Sequence, residues 1–431
     1  MLHTNIGVNA AGHLTFAGVD TTELAARFGT PLYLLDEDRV RARAREYVQT
    51  MRECMPEGSV PLYAGKALSF AGIYRVVCSE GMNIDVVSQG EIATALAAGA
   101  DPARMFFHGN NKTDAEIAYA IKNKVGHFIV DGFDELCAVD RAAAEAGVIQ
   151  RVLLRLTPGI DPHTFKAVNT GMDCQFGVQM DGAMRFLSEA LECEHLSVVG
   201  LHCHIGSQVF DAQPFLDAAD IMLGFMQDAL TMRGFIPELL DLGGGFGVRY
   251  TEADPHVDIP AEIRRIAAHV REGASKRGLF EPAIMLEPGR SIVADAGMTL
   301  YTVGQVKPGT LGAKSYVSVD GGMSDDPRFA LYGARYTVYP ASRMNGEKDF
   351  VCTVAGRCCE SGDVVAENVA LPSPRRGDLL AVAVTGAYNF SMASNYNRVC
   401  RPALVMLRGG EARVGVRRET PEDLISRDVI E

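Results

Sequence analysis

No stretch of this sequence reaches the ~18 consecutive apolar residues that a membrane-crossing helix needs. The opening residues contain no basic segment followed by an apolar run, so a secretory signal is not expected. Cys-x-x-Cys pairs are also lacking. The ten cysteines, among them Cys54, Cys137, Cys193 and Cys400, follow no regular spacing. That argues against a disulfide framework and for reduced thiols in a cytoplasmic enzyme. Positive charge is in short supply: 41 Lys and Arg face 54 Asp and Glu, a net charge of -13. Such a surface repels nucleic acid and anionic membranes and leaves small cationic or zwitterionic metabolites as the expected ligands.

What is present is ordinary globular composition, 47% hydrophobic and 22% charged, over 431 residues. That length predicts two domains, one of them large enough for a barrel. Eight short apolar runs recur: Pro61–Lys66, Asn83–Ser88, Met105–Gly109, His127–Asp131, Arg151–Leu156, Val198–Ile205, Glu238–Gly244 and Ala283–Gly289. Helical patterns such as Gly90–Ala98 and Asp114–Asn123 lie between them. Continuous apolar strands alternating with amphipathic helices predict a (β/α)8 TIM-type barrel, with an open doubly wound sheet as the less favoured rival. Polar and glycine residues cluster where the runs end, as they do at the mouth of such a barrel.

Beyond Leu300 the pattern changes to alternating segments such as Tyr316–Val319, Tyr336–Tyr339, Phe350–Ala355 and Leu379–Val384, which predicts an all-β domain. Two early strand-like pieces, Leu14–Phe16 and Pro31–Leu35, are expected to complete it. The expected division is residues 1–41 packing with the β domain, 42–299 as the barrel, and 300–431 as a β-sandwich or Greek-key-like domain.

Several run ends carry chemistry. Lys66 closes Tyr63-Ala64-Gly65-Lys66. Burying a lone ammonium is costly, so it either snorkels to the strand end or condenses with a carbonyl as a Schiff base. His202-Cys203-His204-Ile205-Gly206-Ser207 looks like a metal pair. Strand alternation is expected to send only one histidine to the mouth, and no partner set follows, so no metal is expected. Such a histidine could stack on a flat cofactor, with Gly206-Ser207 donating to a phosphate. Gly243-Gly244-Gly245-Phe246-Gly247 lacks the spacing of a dinucleotide fingerprint and reads as a tight turn or a phosphate loop. Glu287-Pro288-Gly289-Arg290 is a structural ion pair, or a cofactor ligand beside an anion clamp. Cys359, in Cys358-Cys359-Glu360-Ser361-Gly362-Asp363, reads on residue type alone as a buried inert thiol.

Taken in order, the motifs resemble those of the diaminopimelate decarboxylases, within the alanine-racemase-like and ornithine-decarboxylase-like enzymes that use pyridoxal 5'-phosphate. They are Tyr-Ala-Gly-Lys (63–66), His-Gly-Asn-Asn-Lys (108–112), His-Ile-Gly-Ser-Gln (204–208), Gly-Gly-Gly-Phe-Gly (243–247), Glu-Pro-Gly-Arg (287–290), Asp-Gly-Gly-Met-Ser-Asp (320–325), Cys-Glu-Ser-Gly-Asp (359–363) and Gly-Ala-Tyr (386–388). The similarity runs from Gly29 to Arg398. Cys174-Gln175-Phe176-Gly177 departs from the family's usual Ser-Lys-Phe-Gly, which puts a polar contact near the fifth strand in doubt.

The resemblance implies decarboxylation of meso-2,6-diaminopimelate to L-lysine, the last step of lysine biosynthesis. It places the cofactor on Lys66, Glu287 at the pyridine nitrogen, and His204 on the ring face. Ser207, Gly245, Gly289, Arg290 and Tyr388 fall around the phosphate. Cys359 is the proton donor, reaching the site from the partner subunit of a homodimer. At the far end of the substrate, Arg290, Arg328 and Tyr332 serve the carboxylate and Glu360 the ammonium, and Tyr388 also borders the substrate. For Arg328 the structural alternative is a pairing with a surface acid such as Asp325 or Asp326. The rivals are a related decarboxylase acting on ornithine, arginine or carboxynorspermidine, a racemase, which Glu287 disfavours, and a non-catalytic homologue.

Overall fold

All eight apolar runs form parallel strands. They are β1 (Val60–Ala64), β2 (Asn83–Val86), β3 (Met105–Phe107), β4 (His127–Val130), β5 (Gln150–Thr157), β6 (Leu196–His202), β7 (Leu239–Asp241) and β8 (Ala283–Leu286). Neighbours pair in order, and Met285 of β8 stands opposite Val60 of β1, which closes the barrel. The computed structural model describes residues 1–160 and 174–430. It contains two compact units: Met1–Arg41 with Val248–Pro255 and Arg290–Glu431, and Ala42–Gly247 with His256–Gly289.

Seven of the eight strands contribute to one apolar cluster inside the barrel: Leu62, Phe106, Ile129, Leu153, Val199, Leu239 and Met285. Successive strand residues point to opposite faces, so the residue two positions further on returns to the interior, one layer nearer the C-terminal strand ends. From Phe106, Ile129, Leu153, Leu239 and Met285 that step leads to His108, Asp131, Arg155, Asp241 and Glu287. A polar layer therefore lies directly above the apolar one.

The covering helices are locally well specified. Helix Asp114–Lys122 starts with a capping box between Thr113 and Glu116. Helix Ile259–Lys276 buries Ile259, Ile263, Ile266, Ala267, Val270 and Ala274, the spacing of one helical face. No helix among the described residues is long and apolar enough to cross a membrane. All ten cysteines are unbridged.

The other unit is built on a mixed nine-stranded sheet. Its early strand, Leu32–Asp36, lies between Gly297–Lys307, antiparallel, and Ala403–Arg408, parallel. Three of the anticipated segments, Tyr316–Val319, Phe350–Ala355 and Leu379–Ala383, are strands in this sheet, and the fourth forms at Val338–Pro340. The unit begins at Arg290, earlier than the change of pattern near Leu300, because the long strand starts at Gly297 and a short helix, Arg290–Val293, precedes it.

Asp325 and Asp326 are both buried in this unit. Asp325 takes the Gly322 amide at 3.0 Å and the Tyr301 hydroxyl, while neither oxygen of Asp326 has an aligned donor. Burial pushes both carboxyls up to about 7, and the charge of Asp325 adds to the effect on Asp326. Between about pH 4, where a solvated aspartate titrates, and about pH 7, the folded state holds protons that the unfolded state has released. Their stabilising contribution is thus full at the acid end and lost as the pH rises through about 7. Asp326→Asn is expected to flatten this dependence: the melting temperature of the wild type should fall more between pH 5 and pH 8 than that of the variant. Parallel curves would show that Asp326 is ionised throughout.

Candidate active site

The polar layer is crowded and dry. Asp85, His108, His202, Asp241 and Glu287 are all buried. Nε2 of His108 lies 3.1 Å from Glu287 Oε1 and 3.8 Å from Asp85 Oδ1, and Nε2 of His202 lies 3.2 Å from the same Glu287 oxygen. Neither approach to Glu287 has hydrogen-bond alignment. Three carboxyls in so little water cannot all ionise. Burial, then the charge of Glu287, pushes Asp85 and Asp241 well above the carboxylate range. Burial also opposes the ionisation of Glu287, but His108, His202 and Lys66 outweigh it and hold this group well below its ordinary value. Burial pushes His108 and His202 down, and His204 to about 3, which favours neutral rings. The two tendencies pull against each other over the protons shared with Glu287. The ionised carboxylate is the state the geometry favours, since two ring nitrogens stand beside it and the charge of Lys66 reaches it, while burial drives Asp85 and Asp241 toward the protonated form.

The loops above the layer fit tightly. The Lys112 ammonium donates to Gly109 O at 2.8 Å, Ile129 O at 2.7 Å and Glu135 Oε1 at 2.6 Å, and so ties the segment after β3 to β4 and its following helix. His204 packs against the glycine loop, its Nδ1 accepting from the Gly244 amide at 3.4 Å. A β-carbon on Gly244 would sit 2.0 Å from Glu287 O, and one on Gly245 2.5 Å from Gly206 O. The glycine run thus lets three strand ends meet.

Lys66 carries its ammonium out of the apolar strand, as the snorkelling alternative has it. It stands exposed in a short turn, Gly65–Ala67, because β1 ends at Ala64. Its charge still reaches Asp85, Glu91 and Glu287 and lowers each. The expectation that only one of His202 and His204 faces inward is corrected. Residues two apart share a face, and both rings sit in the field of Glu287. In the barrel unit, Lys66, His204, Ser207, Gly245, Glu287 and Gly289 all lie at strand ends.

In the other unit, Arg290 Nη1 donates to Tyr250 OH at 2.6 Å, and its guanidinium lies 4.8 Å from the Tyr388 ring centre. Arg328 stacks 4.9 Å from the Tyr250 ring and donates to Tyr336 OH at 3.0 Å. It is buried, and so are Asp325 and Asp326, so a surface ion pair is ruled out. Tyr332, in the same short helix, is exposed. Cys359 is exposed rather than buried; the buried thiol is Cys358. Asn397 Oδ1 takes the Cys359 amide at 2.7 Å, and Asp363 takes the amides of Cys358 at 2.7 Å and Met323 at 2.6 Å. In the departing segment, Gln175 is exposed, while Phe176 is held under Arg155 at 4.6 Å and Gly177 donates to Asp131 at 2.9 Å.

Asp85, His108, His202, Asp241 and Tyr250 were not singled out as site residues from sequence. Counting two residues on from each core position finds His108, Asp241 and Glu287. No sequence signal marks Tyr250, whose segment joins the unit built mainly from later residues.

Comparison with known proteins matches this arrangement. A family model described as pyridoxal-dependent decarboxylase, pyridoxal binding domain, covers residues 39–294. Diaminopimelate decarboxylase of Bacillus subtilis (strain 168) is 42% identical over 431 residues, spanning 99% of this chain and 98% of that protein. The chain belongs to the diaminopimelate decarboxylase family. The Mycobacterium tuberculosis (strain ATCC 25618 / H37Rv) member is 40% identical, with 97% and 95% covered. A diaminopimelate decarboxylase from M. jannaschii, solved in co-complex with L-lysine, gives a TM-score of 0.91 at 32% identity, covering 100% of this chain and 99% of that one. The lysine/ornithine decarboxylase of Vibrio vulnificus, complexed with cadaverine, gives 0.76 at 25% identity over 90% and 97%.

The glycine loop of this diaminopimelate decarboxylase family member is open to a simple test. Gly245 has φ +129° and no room for a β-carbon, whereas Gly224, within helix Gln213–Arg233, has nothing within 4 Å. Gly245→Ala is expected to lower the melting temperature, in line with the ~1–3 kcal/mol of an overpacked site. Gly224→Ala should raise stability by up to about 1 kcal/mol. Equal melting curves would show that the loops yield at no cost.

Proposed function

We propose that this chain decarboxylates meso-2,6-diaminopimelate to L-lysine and carbon dioxide, the last step of lysine biosynthesis, with pyridoxal phosphate as cofactor. The observation that carries this reading is Glu287: a carboxylate only 5% exposed, kept ionised among the barrel's strand ends. The surroundings fit the cofactor. Both oxygens of Asp85 and Oδ2 of Asp241 are buried without an aligned partner, a surplus that suits a ring bearing a protonated nitrogen and polar substituents.

When bound, pyridoxal phosphate supplies the electron sink that loss of carbon dioxide from Cα requires. Lys66 offers the amine that attaches it. Glu287, by staying ionised, keeps a positive partner positive. His204, braced by the glycine loop, offers a flat face. Ser207, Gly245 and Gly289 border the phosphate, and Arg290 and Tyr388 are assigned to it as well.

Specificity rests on the second amino-acid head of the substrate. Arg290, Arg328 and Tyr332 are assigned to its carboxylate and Glu360 to its ammonium, with Tyr388 bordering the substrate. Lysine, ornithine and arginine lack that carboxylate, and a site that leaves buried cations unmatched rejects them. Cys359 returns a proton to Cα, in the site of the partner subunit of a symmetric homodimer. Its exposure and the braced turn beneath it support that role. As a biosynthetic enzyme it is assigned to the cytoplasm.

Purified protein with pyridoxal phosphate and meso-diaminopimelate is expected to release lysine and carbon dioxide, and to act poorly on ornithine, arginine and carboxynorspermidine. Preference for any of those three would overturn the substrate. Lys66→Ala should lose the visible absorbance of the attached cofactor and nearly all turnover; retained absorbance would point to another lysine.

Cys359→Ala should keep cofactor affinity while losing most lysine formation, since a proton donor acts after binding. Mixed with Lys66→Ala subunits, it should regain part of the activity, because some heterodimers then hold one complete site. No recovery after verified subunit exchange would count against sharing.

A further inference from the structure

We propose that His108 and His202 are positioning residues that clamp one oxygen of Glu287, Oε1, and thereby reserve Oε2 for the ring nitrogen of the cofactor. The inference rests on the proposed role of Glu287 and adds the means by which that role is fixed. Both Nε2 atoms converge on Oε1, at 3.1 Å and 3.2 Å. The rings are 74° apart with centroids 5.1 Å from each other, so they approach the oxygen from different directions. The rings as they stand are not turned for a hydrogen bond to Oε1, but that oxygen has two acceptor sites and takes both nitrogens once each ring rotates into line. The rings come from β3 and β6, on separate sides of β8 in the strand order, so the clamp crosses the barrel interior.

The other charged or titratable groups of the layer do not replace the clamp. Lys66 and His204 stand at the ends of β1 and β6 and act on Glu287 by charge. Asp85 on β2 and Asp241 on β7 are driven toward the protonated form by burial and by Glu287 itself, and Asp241, which also hydrogen-bonds Glu287, is a neutral donor beside the clamp rather than a substitute for it. Arg155 is engaged with Asp131 at 3.7 Å and with the Phe176 ring. His108 in turn has its backbone amide bonded to Val86 O at 2.8 Å, and its loop is tied down by Lys112. The ring is therefore held from behind. The three ligand atoms also lie close enough together to suit a divalent cation. A clamp leaves Glu287 with an oxygen to spare for the cofactor, whereas a cation would take over the charge that the cofactor's nitrogen needs.

The test compares the affinity of pyridoxal phosphate with that of its 1-deaza analogue, which has carbon in place of the ring nitrogen. Both are measured by equilibrium titration, with no turnover required. Glu287→Gln is the reference: it should reduce the preference for the nitrogen-bearing cofactor, and an unchanged preference would sink the role of Glu287 itself. Glutamine can place an amide nitrogen near the position of Nε2, and asparagine near Nδ1. His108→Gln should therefore keep the wild-type preference, while His108→Asn should lower it by about tenfold, the worth of one charge-assisted hydrogen bond. His202→Gln and His202→Asn should behave the same way. If Glu287→Gln moves the preference but the glutamine and asparagine variants do not differ, the clamp is wrong and the role of Glu287 stands. Equal loss of affinity for both cofactors in every histidine variant would mark the rings as merely structural. Stoichiometric metal in the purified protein, with a preference that chelation abolishes, would also overturn the clamp.

Discussion

A single buried negative charge sets the terms for the upper half of the barrel. An isolated carboxylate away from water is costly, and a protein keeps one only by surrounding it with donors and with neighbours that give up their own charge. Around Glu287 both devices are visible. Two imidazole nitrogens and the lysine field favour its ionisation, while burial pushes Asp85 and Asp241 toward the neutral form. The choice among chemically similar carboxyls follows from geometry. No aligned hydrogen bond reaches Asp85 or Oε1 of Glu287, but two ring nitrogens stand 3.1 Å and 3.2 Å from Glu287, whereas His108 stands 3.8 Å from Asp85.

The second unit handles charge differently. Its buried cation, Arg328, is faced by the rings of Tyr250 and Tyr336 and by a hydroxyl, with Asp326 close enough to act on it. Arg290 uses the same tyrosine, bonding its hydroxyl. Tyr250 thus engages two arginines at once. A planar guanidinium suits this mixture of stacking and donation, which an ammonium could not reproduce.

The barrel was legible in the sequence because each strand is a short apolar run bounded by polar or glycine residues, and that pattern survives without any knowledge of partners. The polar layer was legible in part. Its members lie two residues beyond core positions, so Phe106 leads to His108 and Met285 to Glu287, but the regularity emerges only once the apolar cluster is known. The misreading of His202 and His204 came from treating residues two apart as opposed. The exposure of Lys66 and Cys359 and the burial of Arg328 depend on where a strand or helix stops by a residue or two, which propensity does not resolve. The contribution of Tyr250 to its unit is a matter of tertiary assignment, with no local sign.

The place of Leu32–Asp36 in its sheet has a consequence for how the chain is made. This strand leaves the ribosome early, yet its partners are Gly297–Lys307 and Ala403–Arg408, near the other end of the message. At about 5–20 residues per second, the first of them follows only after roughly ten to fifty seconds. All the barrel strands between Val60 and Leu286 emerge in that interval and find their partners within it. An apolar stretch, Leu32-Tyr33-Leu34-Leu35, must meanwhile go without its sheet. The nascent chain therefore carries an orphan edge while the whole barrel is made, and chaperones that shield such segments have a natural target there.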